Sequence, residues 1–166
     1  MKRLKELKDI EKIHFVGIGG AGMSPLAKIM VELGYEVTGS DRADSEVIQN
    51  LKKLGAKITL DGQKGENVKG ADAIVVSTAI PFDNPEVLAA RDLGIRKLHR
   101  SDINAALVNE YKGIAVAGAH GKTTTTSMLA QMFGGDYQYA TGLVIVTTLL
   151  SMVTMPLVLT LSLNFL

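Results

Sequence analysis

The sequence predicts an α/β fold: a parallel sheet with helices on both faces, followed by the opening strand, phosphate loop and helix of a second α/β domain. Three observations carry this. Short apolar runs ending at or near glycine alternate with stretches whose apolar residues recur at helical spacing. Glycines at 34 and 55 stop two of those stretches. Two glycine-rich loops, about a hundred residues apart, each stand between a strand and a helix.

In chain order, residues 13–17 (Ile-His-Phe-Val-Gly) read as a buried parallel strand. A helix over 22–33 follows, with Met23, Leu26, Ala27, Met30 and Leu33 at its apolar positions. The next strand is 36–40. Residues 45–54 put Val47, Ile48, Leu51 and Leu54 on one helical face. Further strands are expected at 57–60, 73–77 and 95–98, with helices at about 85–93 and 102–109. A fresh buried strand at 113–118 leads into a helix over 122–133. Strands alternating with helices in this way build a doubly wound, Rossmann-like sheet. The expected organisation is a first domain over 1–110, the start of a second over 111–133, and a distinct tail over 134–166.

Composition narrows the function classes. The 166 residues carry 18 Lys+Arg against 17 Asp+Glu, a net charge of +1, which gives no electrostatic footprint for nucleic acid. With 46% hydrophobic and 21% charged residues the chain can bury a core. Absence of cysteine excludes disulfides, thiolate metal sites and a cysteine nucleophile. The first residues alternate charges and show no secretory h-region, so no secretory signal is expected. From Gly134 to Leu166 the only charged side chain is Asp136. The uncharged run from Leu143 to Leu166 is long enough to span a bilayer as a helix. Dense threonine and β-branched residues, Pro156 and the lack of flanking basic residues argue against a span. Buried strands and a non-native tail are the other readings.

The first loop, Gly17-Ile-Gly-Gly-Ala-Gly22, satisfies G-x-G-x-x-G between a strand and a helix. Gly17 permits the tight turn, Gly19 lets backbone approach a diphosphate, and Gly22 allows close helix–strand packing. The helix N-terminus aims its N–H groups at the anion. Asp41, 19 residues beyond Gly22, ends the second strand where a carboxylate can accept from a ribose hydroxyl. The pattern does not separate NAD from another nucleotide diphosphate. The second loop, Gly118-Ala-His-Gly-Lys-Thr-Thr-Thr-Thr126, has Val116 where the general phosphate loop has its first glycine. Its chemistry still fits: Gly121 makes room for phosphate oxygens, Lys122 offers a charge to the β/γ-phosphates, and the Thr123 hydroxyl can ligate Mg²⁺. A dehydrogenase needs only the first loop and a simple NTPase only the second. An ATP-dependent enzyme acting on a nucleotide-linked substrate needs both.

His14 inside a strand reads as a packed or hydrogen-bonded core histidine, and His99 as a surface one. Asp61, Glu66, Asp72 and Asp92 read as solvated turn or helix charges.

The run from Ile13 through Gly-Ile-Gly-Gly-Ala-Gly-Met-Ser24, then Gly39-Ser-Asp41, Ser77-Thr-Ala-Ile80, Asn84-Pro-Glu86 and Gly118-Ala-His-Gly-Lys-Thr-Thr124, resembles the Mur ligase family, and most closely its alanine-adding branch. The resemblance spans about residues 12–133. It implies that Gly19, Gly20, Ala21, Gly22, Met23 and Ser24 line the diphosphate of UDP-N-acetylmuramate, with Asp41 near the uridine. Ser77, Thr78, Ala79 and Ile80 would close over the nucleotide. Gly118, Ala119, His120, Gly121, Lys122, Thr123 and Thr124 would hold ATP, with Lys122 catalytic and Thr123 on Mg²⁺. The implied reaction phosphorylates the muramoyl carboxylate and joins L-alanine to it, a step of peptidoglycan and cell-wall synthesis. Alternatives left open are an NAD-binding domain, which leaves the Gly-Lys-Thr loop unexplained, and a non-catalytic nucleotide-sugar-binding or membrane-tethered fragment that uses the apolar tail as an anchor. The resemblance implies three domains, and it stops at Phe133, where composition also breaks. A truncated or frameshifted product, inactive as a ligase by itself, is therefore expected.

Overall fold

The computed structural model describes residues 4–110 together with Thr125 and Met128. The chain divides into two units, Met1–Gly113 and Ile114–Leu166. Of the second unit Thr125 and Met128 are described, both helical. The strand expected at 113–118, the second phosphate loop and the tail from 134 lie outside the described residues. Among the described residues no helix is long and apolar enough to cross a membrane.

The first unit is a five-stranded parallel sheet: β1 (Lys12–Val16), β2 (Glu36–Ser40), β3 (Lys57–Thr59), β4 (Ala73–Val76) and β5 (Arg96–His99), ordered β3-β2-β1-β4-β5. Its helices are α1 (Ser24–Glu32), α2 (Glu46–Lys53), α3 (Pro85–Asp92) and α4 (Arg100–Glu110). Ile13 lies opposite Val37 on one side and Ala73 on the other, so β1 is the central strand. The chain runs outward from β1 to β3 and then crosses back to β4. Strand order therefore reverses between β1 and β4, and a crevice opens at the carboxyl ends of those strands.

Every expected strand and helix of this unit forms, with small shifts. α1 starts at Ser24 instead of residue 22 because Gly20 to Met23 close a turn first: the N–H groups of Met23 and Ser24 both donate to the Gly20 carbonyl, at 2.8 and 2.9 Å. α4 begins at once after β5, where the Asp102 carboxylate accepts the His99 N–H at 2.8 Å. Two 3₁₀ turns, Lys5–Leu7 and Gly65–Val68, carried no periodic signal in the sequence. Ser45 caps α2 by accepting from the Ile48 N–H, and Asn84 caps α3 by accepting from the Glu86 N–H.

The period-two alternation of β1 sorts the core. Ile13 and Phe15 face one side with Val37, Val75 and Leu98, packed under Leu26, Met30, Ile48 and Ile103. Val16 faces the other side with Ile74, Val76, Val68 and Ala90. On that second face the remaining places on β1 and β2 are polar. His14, Thr38 and Ser40 are buried there, and Glu86 of α3, 0% exposed, reaches in among them. His14 is thus the packed core histidine expected, with Nδ1 2.9 Å from Thr38 Oγ1.

Asp72 is solvent-exposed as expected, yet it has structural work. Its Oδ2 accepts the N–H groups of Glu11 and Lys12, both at 2.8 Å, and so pins the start of β1.

Candidate functional site

The crevice at the β1/β4 switch holds a cleft of about 540 Å³. The segments that follow the five strands build its walls. The first leaves β1 through Gly17, whose φ of +72° is open to glycine and strained for any other residue. The Ile18 N–H then bonds the Ser40 carbonyl at 2.9 Å, which ties this loop to the end of β2. The Gly19 N–H donates to Asp41 Oδ2 at 2.7 Å. A Cβ at Gly19 would stand 2.9 Å from that same oxygen, so the close approach of loop and carboxylate requires glycine.

Asp41 uses both oxygens on backbone. While Oδ2 holds Gly19, Oδ1 accepts from the Arg42 N–H at 2.7 Å and the Ala43 N–H at 3.4 Å. This carboxylate therefore braces the glycine loop against the segment that follows β2, a duty its position at a strand end did not reveal. Among the described residues the N–H groups of Ala21 and Gly22 meet no protein acceptor. They remain available to an anion at the start of α1.

Of the residues named from the sequence, Gly19, Gly20, Ala21, Gly22, Met23, Asp41, Ser77, Ala79 and Ile80 line this one cleft. Ser24 and Thr78 do not: Ser24 is the first residue of α1, and Thr78 turns to solvent. Gly118, Ala119, His120, Gly121, Lys122, Thr123 and Thr124 lie outside the described residues. Among the described residues no cluster of His, Asp or Glu could hold a metal ion.

Arg42, Ala43, Ser45, Gln63 and Arg100 also line the cleft and went unnamed in the sequence. A signal existed for two of them. Arg42 follows β2 by two positions and Arg100 follows β5 directly, and the carboxyl ends of parallel strands face the crevice in such sheets. Gln63 had none, because the irregular segment after β3 has no fixed direction. Two arginines and two backbone N–H groups, with the one carboxylate that lines the cleft among the described residues already engaged, make a cleft suited to a bulky anion.

Comparison with known proteins bears on the family. The profile described as the Mur ligase family, catalytic domain, matches residues 12–112. The chain belongs to the Mur ligase family. A curated Mur ligase, the UDP-N-acetylmuramate–L-alanine ligase of Burkholderia ambifaria, is 53% identical over 123 residues, 74% of this chain and 26% of that protein. The chain thus spans about a quarter of the length of the curated relatives it matches. Among solved structures, the UDP-N-acetylmuramate–alanine ligase of Thermotoga maritima superposes with a TM-score of 0.67 at 36% identity, covering 74% of this chain and 29% of that one. A murein peptide ligase of Psychrobacter arcticus gives 0.70 at 32% identity, covering 75% and 26%. The Mur ligase match does not favour an NAD-binding reading of the glycine loop.

Proposed function

We propose that this chain is the amino-terminal, UDP-N-acetylmuramate-binding part of the ATP-dependent ligase that joins L-alanine to that nucleotide sugar in peptidoglycan synthesis. The observation that carries the proposal is the cleft at the switch point: an Asp41-braced glycine loop, free N–H groups at Ala21 and Gly22, and two arginines on its walls. The names of the relatives supply the identity of the sugar nucleotide.

In this reading the diphosphate lies over the start of α1, where the Ala21 and Gly22 N–H groups donate to its oxygens and the aligned helix peptides favour its charge. Arg42 and Arg100 offset the remaining negative charge. Asp41 sits beside the nucleoside, and the segment from Ser77 to Ile80 covers it. Gly118, Ala119, His120, Gly121, Lys122, Thr123 and Thr124 would hold ATP, with Lys122 and a Mg²⁺ on Thr123 offsetting charge on the transferring phosphoryl group. Bound ATP supplies the activation of the muramoyl carboxylate that amide formation requires. L-Alanine is a substrate of the longer protein, and turnover by these 166 residues alone is not expected. The setting implied is the cytoplasm, without nucleic-acid or membrane partners.

Calorimetric titration of the whole chain with UDP-N-acetylmuramate and, separately, with NAD⁺ tests the proposal. Binding of the UDP-sugar and not of NAD⁺ is expected. NAD⁺ binding alone would overturn it.

A further inference from the structure

The polar cluster on the second face of the sheet has no part in the reading above. A parallel sheet buried on both faces is ordinarily lined with aliphatic side chains. Here His14, Thr38 and Ser40 occupy that face, and the fully buried Glu86 carboxylate meets them. Ser40 Oγ donates to Glu86 Oε2 at 2.6 Å, Asn67 Nδ2 donates to Oε1 at 2.7 Å, and His14 Nε2 stands 3.5 Å from Oε1. Burying such a group costs more than well-packed hydrophobic side chains of the same volume, so stability alone is a weak reason for its presence.

The connections beyond Glu86 point to a use. Asn67 Nδ2 also donates to the Gly62 carbonyl at 3.1 Å. Asn84 accepts the Glu86 N–H on Oδ1 at 2.9 Å and donates from Nδ2 to Gln63 Oε1 at 2.6 Å. Glu86 therefore reaches the segment Gly62-Gln63 twice, through Asn67 by its side chain and through Asn84 by its backbone. Gln63 lines the cleft. Its oxygen is taken by Asn84, which leaves the amide NH₂ as the group it can offer to a ligand.

From this we infer that Glu86 is a positioning residue: acting through Asn67 and Asn84, it presets the Gln63 side chain as a hydrogen-bond donor on the wall of the nucleotide cleft. The inference rests on the UDP-sugar reading for its ligand. Preorganisation of this kind removes the rotamer entropy that a free glutamine would lose on binding.

A double-mutant cycle on the full 166-residue chain tests it, with UDP-N-acetylmuramate as the titrant and the melting temperature recorded for each variant. Glu86→Met keeps the volume and removes both side-chain acceptors, which opens the Asn67 link to Gly62 and leaves the backbone bond to Asn84 in place. Asn84→Ala removes the bond to Gln63 itself, and serves should the first variant fail to fold. Each is expected to weaken binding by about threefold or more when Gln63 is present, and to add nothing in a Gln63→Ala background. Equal losses in both backgrounds, or a fall in melting temperature with unchanged affinity, would overturn the inference and leave Glu86 a purely structural group. Failure of the unsubstituted chain to bind would remove the UDP-sugar reading, and this inference with it.

Discussion

Gly39→Ala is the substitution whose consequence the structure fixes best. Gly39 sits inside β2, paired with Phe15 on one side and Ile58 on the other. A Cβ placed there would lie 2.7 Å from Ile18 Cδ1, 2.8 Å from Ile18 Cβ and 2.9 Å from the Phe15 carbonyl oxygen. The Cδ1 atom could swing aside. The other two cannot, because Ile18 is 0% exposed with its N–H tied to Ser40, and the Phe15 oxygen belongs to the central strand. Carbon atoms rest at about 3.5–4.0 Å, so the loop must move by roughly 0.7 Å or more. Overpacking of this kind costs about 1–3 kcal/mol, and two unyielding contacts place it at the upper end. The smaller unfolded-state entropy of alanine offsets about 0.4–1 kcal/mol. The net destabilisation is roughly 2 kcal/mol.

Gly34→Ala is the matched control. Its φ of +83° strains an alanine, but nothing lies within 4 Å of the new methyl, so only about 1–2 kcal/mol of backbone cost applies, less the same entropy gain. Urea unfolding followed by far-UV circular dichroism should put the Gly39→Ala midpoint lowest, about 1–2 M below the unsubstituted chain. Because Ile18 lies between Gly17 and Gly19, the same variant should also weaken UDP-N-acetylmuramate binding, by about tenfold, while Gly34→Ala leaves it unchanged. A Gly39→Ala midpoint equal to or above that of Gly34→Ala would refute the packing argument.

Further expectations concern the cleft and the surface. Asp41→Asn turns an NH₂ toward backbone donors that now meet an oxygen, so UDP-sugar affinity should fall by about tenfold or more in calorimetry; an unchanged affinity would show that the brace is dispensable. Ser45→Ala removes the cap of α2 and should lower stability by about 1 kcal/mol in urea titrations. UDP-N-acetylmuramate at a hundred times its Kd should stabilise the chain by about 2.7 kcal/mol, and a melting curve indifferent to it would contradict the proposed site. The hydrogen bond and the charge of Lys57 hold the Glu36 carboxyl below its ordinary value. Its contribution is therefore present above the ordinary carboxylate pKa and is lost as pH falls through the lowered one. Lys57→Gln should accordingly show a shallower loss of stability between about pH 5 and pH 3 than the unsubstituted chain. The pair is solvent-exposed, so the difference should be small and should vanish in high salt.

The fold was legible in the sequence because its signals are local. Gly34, Gly55 and Gly94 adopt the positive φ that ends a helix, Ser45 and Asn84 cap the helices that follow them, and short continuous apolar runs between helices point to a parallel sheet buried on both faces. The glycine loop and Asp41 were legible for the same reason: chain direction through a strand–loop–helix fixes where they stand. Tertiary structure decided what those groups hold. Asp41 lines the cleft, and its oxygens also brace Gly19, Arg42 and Ala43, contacts that no local pattern announces. In the sequence Glu86 stood out only as the end of the Asn84-Pro-Glu86 run. The folded chain buries it completely, because α3 lies over the polar side of β1 and β2 and brings His14, Ser40 and Asn67 to it across separations of 72, 46 and 19 residues. Gln63 and Arg100 reach the cleft in the same way, from segments that meet only once the sheet has formed. Local sequence sets backbone conformation through short-range sterics, whereas a polar contact across the sheet depends on register and strand order, which no single segment encodes.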